Sequence, residues 1–301
     1  MRNKQLGFLV GDNPFHGISH LSQEKARARS TDGSLSNEEH ATKLVNLSLQ
    51  NGAKGFMFSV SETTLSILKA MHKDEKPDLY AIVPYAYEYA RLATSAGGIS
   101  GIAKKVIRQI VFSTNVFTVL RDSMGLIRAD PSALLKTYLI YEISRIKSAA
   151  GKDCNLTSVM LHEILTDMAL AFELDWLFKY YIDFLLKRKI QPGFETRNFP
   201  YLIDKFNEWN IDLSKISIAA PFNKVGFQMN PSKVVCEKAL ERSTSAKVIA
   251  MSIFAAGYLK PPDAIDYIST LPNISEVVVG VSKETQAKET FRLLMQKFYE
   301  R

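Results

Sequence analysis

Short apolar runs alternate along the chain with longer segments in which apolar residues recur at helical spacing. Runs of about four to eight apolar or β-branched residues between turn signals are typical of buried strands, and their alternation with helical segments is typical of repeated βα units. Eight runs of this kind predict strands, and they are Gly7–Gly11, Gly55–Val60, Leu79–Tyr85, Ser158–Ile164, Ile190–Thr196, Ile216–Phe222, Lys247–Ile253 and Glu276–Ser282.

Eight βα units close into a barrel more readily than they fill an open sheet. A barrel of this kind commonly uses about 250 residues as one domain, and the chain has 301 residues. The pattern therefore predicts an α/β fold, a (β/α)8 TIM barrel, with residues 1–301 as a single domain.

One connection is longer than a single helix requires. This connection, residues 88–155, lies between the third and fourth predicted strands and contains a Gly/Ser-rich turn and a strongly apolar helical segment. A second helix follows, and Asp130 and Pro131 predict its start as N-cap and first helical residue. Long barrel loops usually act as lids or contacts, and large apolar side chains need a covering surface. We therefore expect a helical insertion that covers the mouth in part and makes a homodimer contact.

Charge and composition limit the kinds of partner that the protein is expected to bind. The net charge is +7, but the basic residues are scattered, and only Lys187–Lys189 and the set Lys104, Lys105 and Arg108 cluster. Solvated helix faces explain this better than a nucleic-acid surface does. No run approaches the roughly 20 apolar residues of a membrane span. Cys154 and Cys236 show no paired spacing, which favours a reducing, cytoplasmic compartment.

Polar residues concentrate where the predicted strands end. The first loop, "GDNPFHGISH", follows three apolar residues directly, and the carboxyl ends of all strands in such a barrel converge on one mouth. This predicts a mixed-charge site for a hydroxylated or anionic small molecule. Its members would be Asp12, Asn13, His16, His20, Ser61, Glu62, Tyr85, Tyr87, Glu88, His162, Glu163, Glu195, Arg197, Asn198, Asn223, Lys224 and Ser282.

The chemistry of this set stays open at the level of sequence. His16, His162 and Glu195 form a plausible metal-ligand set, while His162 with Glu163 or Glu195 would serve as an acid/base pair. Alternatively, the first loop is an Asx-turn whose histidines only make local hydrogen bonds. Arg197 and Lys224 would grip a carboxylate or phosphate, or form exposed salt bridges.

The last two predicted units resemble the end of the aldo-keto reductases. The runs "KVIAMSIFAAGYL" and "ISEVVVGVSKETQAKETFRLL" are similar to the seventh and eighth units of that family, which hold a nicotinamide cofactor, NADP or NAD. "IQPGFETRNF" looks like the family's fifth strand, and "SVMLHEILTD" like the strand that ends in its active-site histidine, here His162. The resemblance implies cofactor-binding roles for Asn198, Ser252, Gly257, Gly280, Ser282, Lys283, Gln286 and Glu289.

A physical argument supports the same loops. Glycines let backbone amides approach an anion, and a helix that starts beyond them directs its positive dipole end at the ligand. The alternative is that Gly257 and Gly280 only turn the chain and that Ser282 only caps a helix.

The sequence departs from the family where the family's proton donor is built. Phe58 and Ser59 stand where the family has an Asp-Thr pair, no Tyr-Gly motif follows, and Pro84 stands in place of a lysine. Only the histidine remains. Tyr85 or Tyr87 would have to donate the proton, with Lys224 supplying positive charge, although tyrosines near strand ends are more often packing residues.

Three functions follow as hypotheses. The first is an NAD(P)-binding oxidoreductase with a non-standard catalytic set, acting on a small hydroxylated or carbonyl substrate. The second is a non-redox lyase or isomerase on a phosphorylated or sugar-like substrate, with His16, His162, Glu163 and Glu195 transferring protons. The third is a barrel that binds a ligand or partner without catalysis.

Overall fold

Eight parallel strands form a closed barrel in chain order. The computed structural model describes residues 6–16, 37–71, 76–85 and 131–300. β1 pairs with both β2 and β8, which closes the barrel. The strands are β1 (Gly7–Gly11), β2 (Gly55–Ser59), β3 (Asp78–Val83), β4 (Leu156–Leu161), β5 (Gln191–Glu195), β6 (Ser217–Pro221), β7 (Lys247–Met251) and β8 (Ile274–Gly280).

Helices surround this barrel on the outside. The α-helices within the described ranges are α1 (Asn37–Gln50), α2 (Glu62–Ala70), α3 (Pro131–Ala150), α4 (Glu163–Ala171), α5 (Asp175–Leu186), α6 (Phe199–Glu208), α7 (Lys233–Arg242), α8 (Pro261–Thr270) and α9 (Glu284–Phe298). Short 3-10 turns follow β1 at Asn13–His16, precede β6 at Leu213–Lys215 and follow β7 at Ala255–Gly257.

The barrel interior is packed, so the site can only lie at one of its ends. Parallel strands covered by helices are buried on both faces, which explains their near-continuous apolar runs. Gly193 lets the interior close, because a Cβ there would lie 2.5 Å from Cγ of Met160. Side chains from six strands fill the middle, namely Leu9, Met57, Tyr80, Ile82, Met160, Ala219 and Ile249.

The closed barrel confirms the predicted fold, and all eight predicted strands are present. Their observed ends differ from the predicted ones by up to three residues. The largest difference concerns the fourth strand, predicted to reach Ile164 but ending at Leu161. His162 caps the next helix instead, because its ring nitrogen Nδ1 accepts the N–H of Ile164.

Part of the predicted insertion is described. α3 begins at Pro131, as the Asp-Pro pair predicted, and packs against α2. Residues 86–130 lie outside the described residues, so the lid and the homodimer contact stay predictions. Within the described ranges, no helix combines the length and the apolar character that crossing a bilayer requires.

Candidate functional site

A cavity of about 510 Å³ opens at the carboxyl end of the barrel. It joins the two groups of residues that the sequence singled out. One end, which we call the acid end, is formed where β1, β4 and β5 finish, by Asp12, His162, Glu163, Glu195 and Arg197. The other end, which we call the loop end, is formed by the loops after β7 and β8. The predicted residues that line it are Asp12, Asn13, His162, Glu163, Glu195, Arg197, Ser252, Gly257, Gly280, Ser282 and Gln286.

A second cavity lies elsewhere. It measures about 540 Å³, sits between α1 and α2 on the outside of the barrel, and contains none of the predicted site residues. Barrel enzymes place their chemistry at the carboxyl ends of the strands. We therefore take the cavity at the mouth as the candidate site.

Glu195 is a buried titratable group of the acid end. It ends β5, and only 8% of the residue is exposed. Burial raises its pKa to about 8, and the negative charges of Glu163 and Asp12 act in the same direction. At neutral pH Glu195 is therefore mainly a neutral carboxylic acid that can donate a proton.

His162 is a neutral imidazole with an assigned tautomer. Burial lowers its pKa, the nearby Glu163 carboxylate opposes that effect, and Arg197 reinforces it. Because Nδ1 accepts the N–H of Ile164 at 3.2 Å, the ring proton of the neutral form lies on Nε2. His162 can therefore offer one N–H to a substrate oxygen.

Glu163 and Arg197 form a two-point ion pair at the edge of the acid end. Nε of Arg197 donates to one carboxylate oxygen at 2.7 Å, and a terminal nitrogen donates to the other at 2.6 Å. The pair joins the start of α4 to the loop after β5. Paired forks of this kind fix both partners in orientation.

Asp167 holds the same loop and was missed in the sequence. Its carboxylate accepts the backbone N–H of Arg197 at 3.1 Å and the hydroxyl of Thr196 at 2.5 Å. Burial raises its pKa. The available signal was spacing, because Asp167 lies four residues after Glu163 and so on the same face of α4.

Asp12 and His16 form a further pair at the first loop. The Asp12 carboxylate accepts the backbone N–H of Ser59 at 2.7 Å and lies 2.9 Å from Nε2 of His16. The ring centroids of His16 and Tyr85 are 4.9 Å apart. The carboxylate that follows β1 therefore reaches the end of β2, where Phe58 and Ser59 stand in place of the Asp-Thr pair of the resemblance.

The loop after β7 has an unusual backbone at the loop end. Ser252, Ala255 and Ala256 all have positive φ angles, of 54°, 47° and 58°, and Gly257 follows at 91°. Such angles are costly for residues other than glycine and concentrate at functional loops. The chain therefore stores strain beside the cavity.

The loop after β8 leads into α9. The backbone N–H and the hydroxyl of Ser282 both donate to Oε1 of Gln286, at 3.1 and 3.0 Å. Gly280 packs against the first loop, because a Cβ there would lie 3.0 Å from Pro14. Lys283 precedes α9 and makes no side-chain capping bond.

Other predicted residues are placed away from the cavity. Lys224 lies 3.5 Å from Asp263 in an exposed ion pair, and Asn198 caps α6 by accepting the N–H of Tyr201. Lys283 precedes α9 and Glu289 lies within it, and neither residue lines the cavity. Tyr87, His20 and Glu88 lie outside the described residues.

Metal ligation has no support in the described part of the chain. No group of three or more His, Cys, Asp or Glu side chains there is arranged to hold a metal ion. In the alternative set of His16, His162 and Glu195, Nε2 of His16 already contacts Asp12.

Comparisons with known proteins agree on the fold. Two solved structures of a proposed aldo-keto reductase from Pseudomonas aeruginosa are similar to this chain, with TM-scores of 0.56 and 0.53 and identities of 8% and 9%. Each alignment covers 96% of this chain and 89% of the other. No family model and no curated protein matches the sequence. At this identity the likeness shows a shared barrel fold, which is the fold that the resemblance implied.

Proposed function

We propose that the protein is an oxidoreductase that binds NADP or NAD and acts on a small hydroxylated or carbonyl substrate. One observation carries this proposal. A single cavity connects a buried carboxylic acid at Glu195 with the loops after β7 and β8. These are the loops at which barrels of this kind commonly hold phosphate groups.

The loop end fits a dinucleotide. Gly257 has a φ of +91°, and nothing lies within 4 Å of where a Cβ would stand, so its backbone is open to close approach. α9 is 15 residues long and directs its N-terminal amides and dipole toward this end, beside the ammonium group of Lys283. Ser252, Ser282 and Gln286 would add hydrogen bonds. A nicotinamide ring bound in the cavity would supply the redox chemistry.

The acid end supplies proton transfer and orientation. Glu195 donates a proton to a substrate oxygen in reduction and accepts one in oxidation. His162 orients that oxygen through Nε2–H, and the Glu163–Arg197 pair and Asp12 fix the surrounding geometry. This set takes the place of the tyrosine, lysine and aspartate of the aldo-keto reductases.

A fluorescence titration tests the proposal. Purified protein titrated with NADPH and NADH is expected to bind one of them with a Kd tighter than about 1 mM. Lys283→Ala is expected to weaken that binding by about tenfold, because it removes a positive charge at the residue that precedes α9, next to the loop end. Lys288→Ala, a charge change at an exposed position of the same helix, is the control and leaves the Kd unchanged. The absence of saturable binding by both nucleotides removes the proposal.

A second candidate function rests on the acid end alone. Burial raises the pKa of Glu195 and lowers that of His162, so the acid is mainly protonated and the imidazole mainly neutral at pH 7. Such environment-tuned protonation states are typical of acid/base catalysis. A non-redox lyase or isomerase would need nothing more. Protein that binds neither nucleotide but needs Glu195 for proton exchange into a sugar-like substrate would favour this candidate.

A further inference from the structure

Positive charge is scarce at the acid end. Among the described residues that line the cavity, Arg197 is the single lysine or arginine. Three carboxyl side chains line the same cavity, those of Asp12, Glu163 and Glu195. Recognition of a carboxylate or phosphate group in this part of the cavity would therefore depend on Arg197.

Arg197 is already bound by its own chain. Both oxygens of the Glu163 carboxylate accept from its guanidinium, at 2.7 and 2.6 Å, which is the arrangement that a substrate carboxylate would otherwise take. The backbone N–H of Arg197 is held by Asp167 at 3.1 Å. Glu163 and Arg197 are 19% and 27% exposed, so their attraction is screened less than that of a surface pair.

The Asp12 carboxylate at the acid end also has partners within the chain. The Asp12 carboxylate accepts the Ser59 N–H and contacts His16. An anionic substrate would have to displace Glu163 and would then face two carboxylates at close range. An uncharged substrate would displace neither pair, and it could bind to Nε2–H of His162 and to the carboxyl group of Glu195.

We propose that the acid end takes an uncharged polar substrate, a small hydroxylated aldehyde, ketone or alcohol, and that Glu163 excludes carboxylated and phosphorylated compounds by occupying Arg197. The carbonyl or alcohol part rests on the proposed oxidoreductase function. The exclusion of anions rests on the ion pair alone.

Glu163→Gln tests the exclusion by releasing the guanidinium while keeping the side chain's size. The probe is inorganic phosphate, measured by isothermal titration calorimetry at constant ionic strength. Any phosphate binding by the wild-type protein is expected to be independent of Arg197. Glu163→Gln is expected to bind phosphate at least about tenfold more tightly than the wild-type protein does. Glu163→Gln/Arg197→Gln is expected to lose that gain. Glu163→Ala provides the same release if the glutamine variant folds poorly.

A matched control separates the site from general charge effects. Glu62→Gln removes a carboxylate that binds Arg145 at 2.6 Å outside the cavity, and it is expected to gain no phosphate binding. Two outcomes overturn the proposal. One is wild-type phosphate binding that Arg197→Gln abolishes, and the other is a Glu163→Gln variant, folded by circular dichroism, without any gain.

The result is independent of the proposed redox function. Phosphate gain in Glu163→Gln together with no binding of NADPH or NADH by wild type would retain the exclusion and remove the oxidoreductase. Nucleotide binding without any phosphate gain would do the reverse. Lys283→Ala in the Glu163→Gln background is expected to keep the gain, because Lys283 lies beside the loop end.

Discussion

The free energy of unfolding of the wild-type protein is expected to fall as the pH rises from 5 to 9, and most of that fall should be absent in Glu195→Gln. The folded-state pKa of Glu195 is raised to about 8 from an ordinary value of 4.5, mainly by burial. Between those two values the folded protein binds more protons at this site than the unfolded chain does. The free energy of unfolding therefore falls as the pH rises through that window.

The size of the effect follows from the shift. Each pKa unit corresponds to about 1.4 kcal/mol, so the loss across the whole window is on the order of 4 kcal/mol. That is a large share of the roughly 5 to 15 kcal/mol that stabilises a typical domain. Glutamine keeps the shape of the side chain and has no proton to lose.

Urea denaturation at a series of pH values measures this difference. His162 acts in the opposite direction, because its lowered pKa makes the folded state less stable as the pH falls below about 6.5. The contribution of Glu195 is therefore best read above pH 6.5, where wild type should lose about 2 kcal/mol before levelling off beyond pH 8. The Glu195→Gln profile should be nearly flat in the same range.

The control for this experiment is Glu241→Gln, at an exposed position at the end of α7. Its pH profile should run parallel to that of wild type. Parallel profiles for wild type and Glu195→Gln would instead show that the carboxyl group ionises in the folded protein as it does in the unfolded chain. In that case Glu195 could not act as the neutral acid of the proposed mechanism.

The barrel could be predicted because its strands are buried on both faces. Such strands appear as short apolar runs, and all eight were found, from Gly7–Gly11 to the run that contains β8. Their exact ends could not be predicted. β4 ends where the backbone N–H of Ile164 donates to Nδ1 of His162, and the pattern of apolar residues does not predict a hydrogen bond of this kind.

The membership of the site could be predicted in part, for a similar reason. Parallel strands bring their carboxyl ends together, so Asp12, His162 and Glu195 were expected to meet. Which of them would pair was not predictable, because pairing depends on rotamers and distances. Arg197 was expected to bind a carboxylate or form a salt bridge, and the structure shows that Glu163 is its partner.

The amino end of the barrel was not anticipated at all. Lys247 precedes one apolar run and Glu276 interrupts another, and the side chains at both positions point into the barrel. These charged residues were the signal in the sequence for a polar cluster at this end. In this fold the residues that carry chemistry are expected at the carboxyl ends of the strands, not at the amino ends. Polar groups at the opposite end contribute to stability in this fold.

Glu276 is the centre of that cluster, and only 1% of it is exposed. One carboxylate oxygen accepts from the Tyr80 hydroxyl at 2.9 Å and lies 2.7 Å from Lys54 and 3.2 Å from Lys247. Nζ of Lys247 also donates to the Tyr80 hydroxyl at 2.7 Å. Burial would lower the pKa of Lys54, but its hydrogen bond and ion pair with Glu276 outweigh this and raise it.

Glu276→Gln is expected to lower the free energy of unfolding by about 3 kcal/mol, because it leaves two ammonium groups beside a buried site without their counter-charge. Lys54 and Lys247 are 46% and 27% exposed and can turn partly toward water. The loss of stability should therefore not exceed this value. Urea denaturation at pH 7 measures it.

Glu284→Gln gives the matched comparison. Glu284 lies 2.6 Å from Lys43, about as close as Glu276 lies to Lys54, but the two side chains are 40% and 49% exposed. Because water screens such a pair and ordering its side chains costs entropy, its loss should change stability by at most about 1 kcal/mol. Equal losses in Glu276→Gln and Glu284→Gln would contradict the argument, since burial is the main physical difference between the two ion pairs.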